Sequence, residues 1–158
     1  MDDLIRSIEA SAAEIAAAAR AAAAGATAAQ APASTPEGEW PAATVVGHLA
    51  DVDDEVWRPR LALMLEAHRA GAPRPSFVWW EPDAQATAAR YATVPLVAAI
   101  ERFLATRAAF AAELRTLAPA EWAAKAFHAT FGEMTVASLL REELGHDAEH
   151  RASLDGRR

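Results

Sequence analysis

Apolar residues recur at alternating steps of three and four in four separate stretches of this chain, and that spacing predicts amphipathic helices. In the first, over residues 2–24, Ile5, Ile8, Ala12, Ile15, Ala19 and Ala22 form one stripe, with Gly25 as its stop. The second, over 41–70, carries Val45, Leu49, Val52, Val56 and Leu63 and ends before Gly71. Pro59 falls inside it and has no N–H for the Glu55 carbonyl, which predicts a kink. The third takes Thr93 as its cap and Pro95 in its first turn, and aligns Leu96, Ile100, Phe103, Arg107, Phe110, Leu114 and Leu117 before Pro119. The fourth, capped by Thr135, aligns Val136, Leu139, Glu143, His146, His150 and Leu154. Four such stripes without a convincing strand pattern predict an all-α, four-helix bundle.

The connections differ in character. Residues 26–38 are rich in Ala, Pro, Ser and Thr. Residues 71–93 are long for a link inside a bundle and hold Pro73, Pro75, Pro82 and the pair Trp79-Trp80. Loops of that length often carry function, and a short helix over 83–91 fits within this one. The third connection holds Trp122, Phe127, His128 and Gly132. At 158 residues the chain reads as one domain over 1–158, with no internal repeat. A chain of this size buries roughly two-thirds of its unfolded surface.

Charge and cysteine usage narrow the chemistry. Fifteen basic and 22 acidic residues give a net charge of −7, with no basic stripe, so nucleic acid is not an expected partner. The chain has no cysteine, which excludes disulfides, a cysteine nucleophile and thiolate ligands. A metal site must then use His, Asp or Glu, and any thiol chemistry needs a thiol supplied from outside. The Ala-rich start carries Asp2, Asp3, Glu9 and Glu14, unlike a signal peptide, and no stretch is apolar enough to span a bilayer. A cytoplasmic protein with no membrane association is the expectation.

His146 and His150, four apart, share one face of the last helix, and His48 lies on the core face of the second, between Val45 and Val52. Two imidazoles one turn apart can hold one metal ion, and a third from a facing helix completes a three-nitrogen site with open positions. Any one core histidine is more often a satisfied buried side chain. Three inward histidines among five in all carry more weight, because unpartnered buried imidazoles cost stability. His68 reads as solvated; His128 reads as a loop residue, either on the surface or at the mouth of a pocket.

Asp51 and Glu143 are the acids to watch. Each is three residues from a candidate ligand and could accept its second ring N–H, move a proton, or serve as a plain helix charge. Glu143-x-x-His146 matches half of a di-iron site, but no second Glu-x-x-His exists. The acidic run Asp51-Val52-Asp53-Asp54-Glu55 fails as a calcium loop, with Val56 where glycine is needed and Ala62 where the closing Glu is needed. No Ser–His motif or glycine-rich phosphate loop is present.

Trp40-Pro41, then Val45-Val46-Gly47-His48-Leu49-Ala50-Asp51, Trp57 and Arg60, resemble the second helix of the DinB-like superfamily. The run from His128 to Val136 resembles the entry to that family's last helix, and the run from Leu139 to Arg151, with its His-x-x-x-His pair, resembles the helix itself. The resemblance covers nearly the whole chain. It implies a single DinB-like four-helix bundle of unusual connectivity and a divalent metal, most often zinc or nickel, on His48, His146 and His150. It also implies relatives that are thiol-dependent transferases and isomerases, using mycothiol or bacillithiol and including maleylpyruvate isomerases.

Three functions stay open. The first is a metal-dependent enzyme acting on a small molecule, with a low-molecular-weight thiol as co-substrate. Glu143 or Asp51 would then orient a ligand or move a proton, Trp57 and His128 would line the pocket, and Arg60, with Arg58 or Arg141, would meet a carboxylate. The second is a non-catalytic metal- or ligand-binding stress-response module. The third is a structural bundle with a histidine network and no specific metal. The alanine stripe of the first helix also permits close packing in a homodimer.

Overall fold

A computed structural model describes residues 1–28 and 40–156. The first helix, α1 (Asp2–Ala28), runs through Gly25 rather than stopping there. One glycine costs about 1 kcal/mol in a helix, which the Ala-rich run around it tolerates. Most of the 26–38 connection lies outside the described residues, as does the end of the 155–158 tail.

The second bundle helix is built of α2 (Ala42–Val52), a π turn (Asp53–Trp57) and α3 (Arg58–Ala70). The disturbance expected at Pro59 takes the form of this π turn, in which the Arg58 N–H reaches back five residues to the Asp53 carbonyl. The wider turn shifts the register of everything after it. Leu63, seven residues past Val56 and so expected on the core stripe, is exposed; Leu61, Met64 and Leu65 take the buried face. Gly71 ends α3 at φ 60°, a left-handed cap.

After α4 (Ala84–Tyr91), whose Asp83 caps the N–H groups of Gln85 and Ala86, α5 (Leu96–Arg115) and α6 (Val136–Asp155) complete the bundle. Pro95, not Thr93, is the residue at the N-cap of α5. Thr135 caps α6 as expected, accepting the Ser138 N–H. The first helix packs on α6 and α5, and α2 packs on α5 and α1. Ile15, Ala19, Val46, Leu49, Ile100 and Phe103 close one end of the core; Ile8, Met64, Phe110, Leu139 and Leu140 close the other. None of the described helices is long and apolar enough to cross a membrane.

The expectation of no strands is corrected by a small sheet. Its strands, β1 (Ser76–Phe77), β2 (Lys125–His128) and β3 (Gly132–Thr135), are ordered β1-β2-β3, with β1 parallel and β3 antiparallel to β2. Two to four residues per strand give too short an alternation to read from sequence. Gly132 sits at φ 74° at the end of the β2–β3 turn. Pairing β1 to β2 ties the 71–93 segment to the connection that leads through β3 into α6.

Candidate metal centre

The local sequence of α2 fixes how His48 is presented. Its neighbour Gly47 lies against the Tyr91 ring, where a Cβ would stand 2.1 Å from Tyr91 Cε1. The Tyr91 hydroxyl accepts from Arg102 and faces two acceptors, the Gly47 carbonyl at 2.9 Å and Asp51 Oδ1 at 2.8 Å. Burial and the bond to Asp51 push that phenol up to about 12. Asp51 also pairs with Arg90 and Arg102, each at 2.7 Å. It is therefore engaged in locking α2 to α4 and α5.

His146 and His150 project from α6 on the flank between its buried stripe and solvent. At about 100° per residue, Leu139, Glu143, Asp147 and Leu154 point into the bundle, and the two histidines turn partly away from that direction. His48 meets them from α2. One ring nitrogen from each of the three lies within 4.8 Å of the other two. The Nε2 atoms of His146 and His150 are 3.1 Å apart, close to the roughly 3.3 Å expected for two nitrogens each about 2.0–2.1 Å from a tetrahedral zinc. His48 is further enclosed by Trp40, edge-on at 5.0 Å, and by Trp80, stacked at 6.2 Å.

The donor set suits a cation. Burial, reinforced by His150 and His146, holds His48 down to about 3; burial and His146 hold His150 down to about 4, and burial lowers His146 too. All three rings are thus neutral at neutral pH, the form that ligates a metal. His48 Nδ1 and His146 Nδ1 are buried without a hydrogen-bond partner. Three nitrogens and no thiolate or carboxylate fit zinc, nickel, copper or iron(II) alike.

A pocket of about 450 Å³ opens onto the three histidines. Val52, Val56, Trp57, Trp79, Trp80, Pro82 and Phe131 form its apolar walls, and Arg60, Glu81, Glu142 and Glu149 its charged groups. Arg60 lies over the rings of Trp57 and Phe77 and donates from Nη2 to the Val78 carbonyl at 2.7 Å. Gly145, in the floor, has nothing within 4 Å of where a Cβ would be.

The other expected site residues lie elsewhere. Glu143 is fully buried beneath the histidines, beside Arg107, whose Nη1 is 3.0 Å from Oε1; neither carboxylate oxygen makes an aligned hydrogen bond. Burial, with Asp53 and Asp147 nearby, pushes its carboxyl well above the usual range against the pull of Arg107. Neither Glu143 nor Asp51 lines the pocket. His128 is not a surface loop residue: it is buried at the end of β2, where Nδ1 accepts the Thr130 N–H at 3.1 Å and the ring packs on Phe131. Arg58 pairs with Asp54 and Glu113, away from the pocket, and His68 is exposed.

Sequence reasoning passed over Glu142, Glu149 and Gly145. The signal was present: Glu142 is four before His146, Glu149 three after it, and seven residues bring a helix back to nearly the same face. Glu81 had no such signal, because its place depends on the sheet.

A family model described as the DinB superfamily matches residues 12–154. Among solved structures, YfiT from Bacillus subtilis, described as a probable metal-dependent hydrolase with an unusual four-helix bundle topology, superposes with a TM-score of 0.70. The match is at 21% identity and covers 99% of this chain and 84% of that one. No curated protein sequence matches.

Proposed function

The chain belongs to the DinB superfamily, and we propose that it is a divalent-metal-dependent enzyme acting on a small molecule held in the pocket beside His48, His146 and His150. The observation that carries this reading is the junction of the two features: three imidazoles bring a ring nitrogen each within 4.8 Å of the others, and all three line a pocket of about 450 Å³. A structural metal site is closed by four protein ligands, whereas three leave room for a reactant.

In this reading His48, His146 and His150 hold the metal, with zinc and nickel the first candidates. When bound, it supplies Lewis acidity, lowering the pKa of a coordinated nucleophile or polarising a substrate oxygen. The chain's own residues do the rest. Trp57, Trp79 and Trp80 exclude water and hold the apolar part of the substrate. Glu142 and Glu149, on the same face of α6 as His146, are the pocket carboxylates placed to take up or return a proton. Glu143 and Asp51 act as positioning residues: Glu143 sits under the histidine pair next to Arg107, and Asp51 fixes the rotation of α2.

The nucleophile is water or a low-molecular-weight thiol. The hydrolase description of YfiT favours the first, and the family resemblance to thiol-dependent transferases and isomerases favours the second. With no cysteine in the chain, the thiol must come from solution. Zinc- or nickel-loaded protein should be incubated with an activated ester and an alkyl halide, with and without a thiol such as cysteine. Ester cleavage without thiol, abolished in His48→Ala, supports the hydrolase; turnover of the halide only with thiol supports the transferase. No turnover in any combination counts against catalysis and leaves a metal-binding module.

A further inference from the structure

Glu81, Glu142 and Glu149 line the pocket, and none has a hydrogen bond or ion pair to another described residue. On the remaining described surface Glu9, Glu14, Glu113, Glu121 and Glu133 bond to an arginine or lysine, and Glu66 on α3 and Glu101 on α5 are also unpaired. Three carboxylates without a hydrogen-bond or ion-pair partner among the described residues thus line one pocket, Glu142 acting electrostatically on His128 and Glu149 on His150. Among the described residues the one cation in the wall, Arg60, is tied to the Val78 carbonyl and lies over the rings of Trp57 and Phe77.

Two further features point to a bound molecule. His48, only 4% exposed, lines the same pocket and keeps a ring nitrogen without a partner. The walls are aromatic, and part of that aromatic surface is open: Trp79 is 60% exposed and Phe131 39%, their rings meeting edge to face at 6.1 Å. Indole faces attract cations through the ring quadrupole, and carboxylates beside them add Coulombic attraction. Along α6, Glu142 and Glu149 stand on either side of Gly145 and His146, where the missing Cβ leaves room for a ligand to approach the backbone. The net charge of −7 steers cations toward the molecule.

We propose that the pocket takes an organic cation, an amine or quaternary ammonium with an apolar body, its positive group between the indole rings and Glu81, Glu142 and Glu149 and its other end toward the three histidines. A polycarboxylate substrate, or a thiol presenting carboxylates, would meet three like charges and a single engaged arginine. The proposal rests on the histidine pocket being the functional site, and it gives that site a substrate class.

The test uses benzyltrimethylammonium against phenylacetate, titrated by tryptophan fluorescence into the full chain, both zinc-loaded and chelator-treated, with zinc content measured on each sample. Benzyltrimethylammonium should bind at least about tenfold more tightly than phenylacetate, in keeping with the strength of a partly desolvated cation–π contact. The Glu142→Gln/Glu149→Gln double variant should cut that preference to about threefold or less while keeping the melting temperature. Equal binding of the two probes, or tighter binding of phenylacetate, overturns the proposal. A preference unchanged in the double variant overturns it as well. The outcomes separate from those of the metal reading: one zinc with no cation preference sinks only this proposal, whereas cation preference without zinc uptake sinks only the metal.

Discussion

Arg107 holds Asp147 through both terminal guanidinium nitrogens, at 2.7 and 3.1 Å, inside the bundle and one residue beyond His146. The same guanidinium bonds Asp53 at 3.0 Å and lies 3.0 Å from Glu143. Burial works against its charge, and Glu143, Asp53 and Asp147 more than compensate. Removing one partner of such a cluster strands the others. Arg107→Met should lower the stability of chelator-treated protein by about 3–5 kcal/mol, read from urea unfolding. A cost below 1 kcal/mol would show that the cluster is not held by this residue.

Gly47 and Tyr91 make a second, smaller dependence. Gly47→Ala drives a methyl into the Tyr91 ring and should cost about 1–3 kcal/mol. In a Tyr91→Leu background the same change should be neutral to stabilising, by up to about 1 kcal/mol, since alanine is the better helix former. A double-mutant cycle checks this: additive costs would mean that the ring does not set the position of α2.

Asp53 gives the bundle a pH dependence of definite sign. Burial raises its carboxyl from 3.8 to about 6, against the pull of Arg107. An acid whose folded pKa lies above its unfolded value binds its proton more tightly when folded, so its protonation stabilises. Relative to Asp53→Asn, which cannot titrate, wild type should lose stability as pH rises from about 4 to 6. Unfolding midpoints of both proteins at pH 4.5, 5.5 and 7 measure the difference. A gap that is constant, or that grows in favour of wild type with pH, contradicts the assignment.

Gly145 should separate stability from function. Nothing lies near its absent Cβ, so Gly145→Ala should raise the stability of α6 by up to about 1 kcal/mol. The added methyl stands in the pocket floor and should weaken ligand binding there. A melting temperature that rises while probe affinity falls by severalfold is the expected pair of results. Unchanged affinity would place the ligand away from this helix face.

The bundle and the three histidines were legible because both depend on spacing within long helices. Thr135 as a cap and the stripe of α5 were readable for the same reason. What stayed hidden depends on contacts between distant segments. The strands are too short to alternate visibly, and without them nothing places Trp79, Glu81 and Phe131 around one pocket. The π turn hid the burial of Leu61 and the exposure of Leu63, because one wide turn shifts the pattern after it. Arg107 sat in plain view within an apolar stripe; a charge there implies buried partners, and Asp53, Glu143 and Asp147 occupy the facing positions on two other helices. His128 looked exposed only because its strand was not seen.

The most direct test is metal content. Protein expressed without a polyhistidine tag should be purified, exposed to zinc or nickel, desalted and subjected to elemental analysis beside His146→Ala. About one equivalent per chain is expected in the wild type, with loss of most of it in the variant. No uptake by the wild type, or equal uptake by both proteins, would contradict the three-histidine centre.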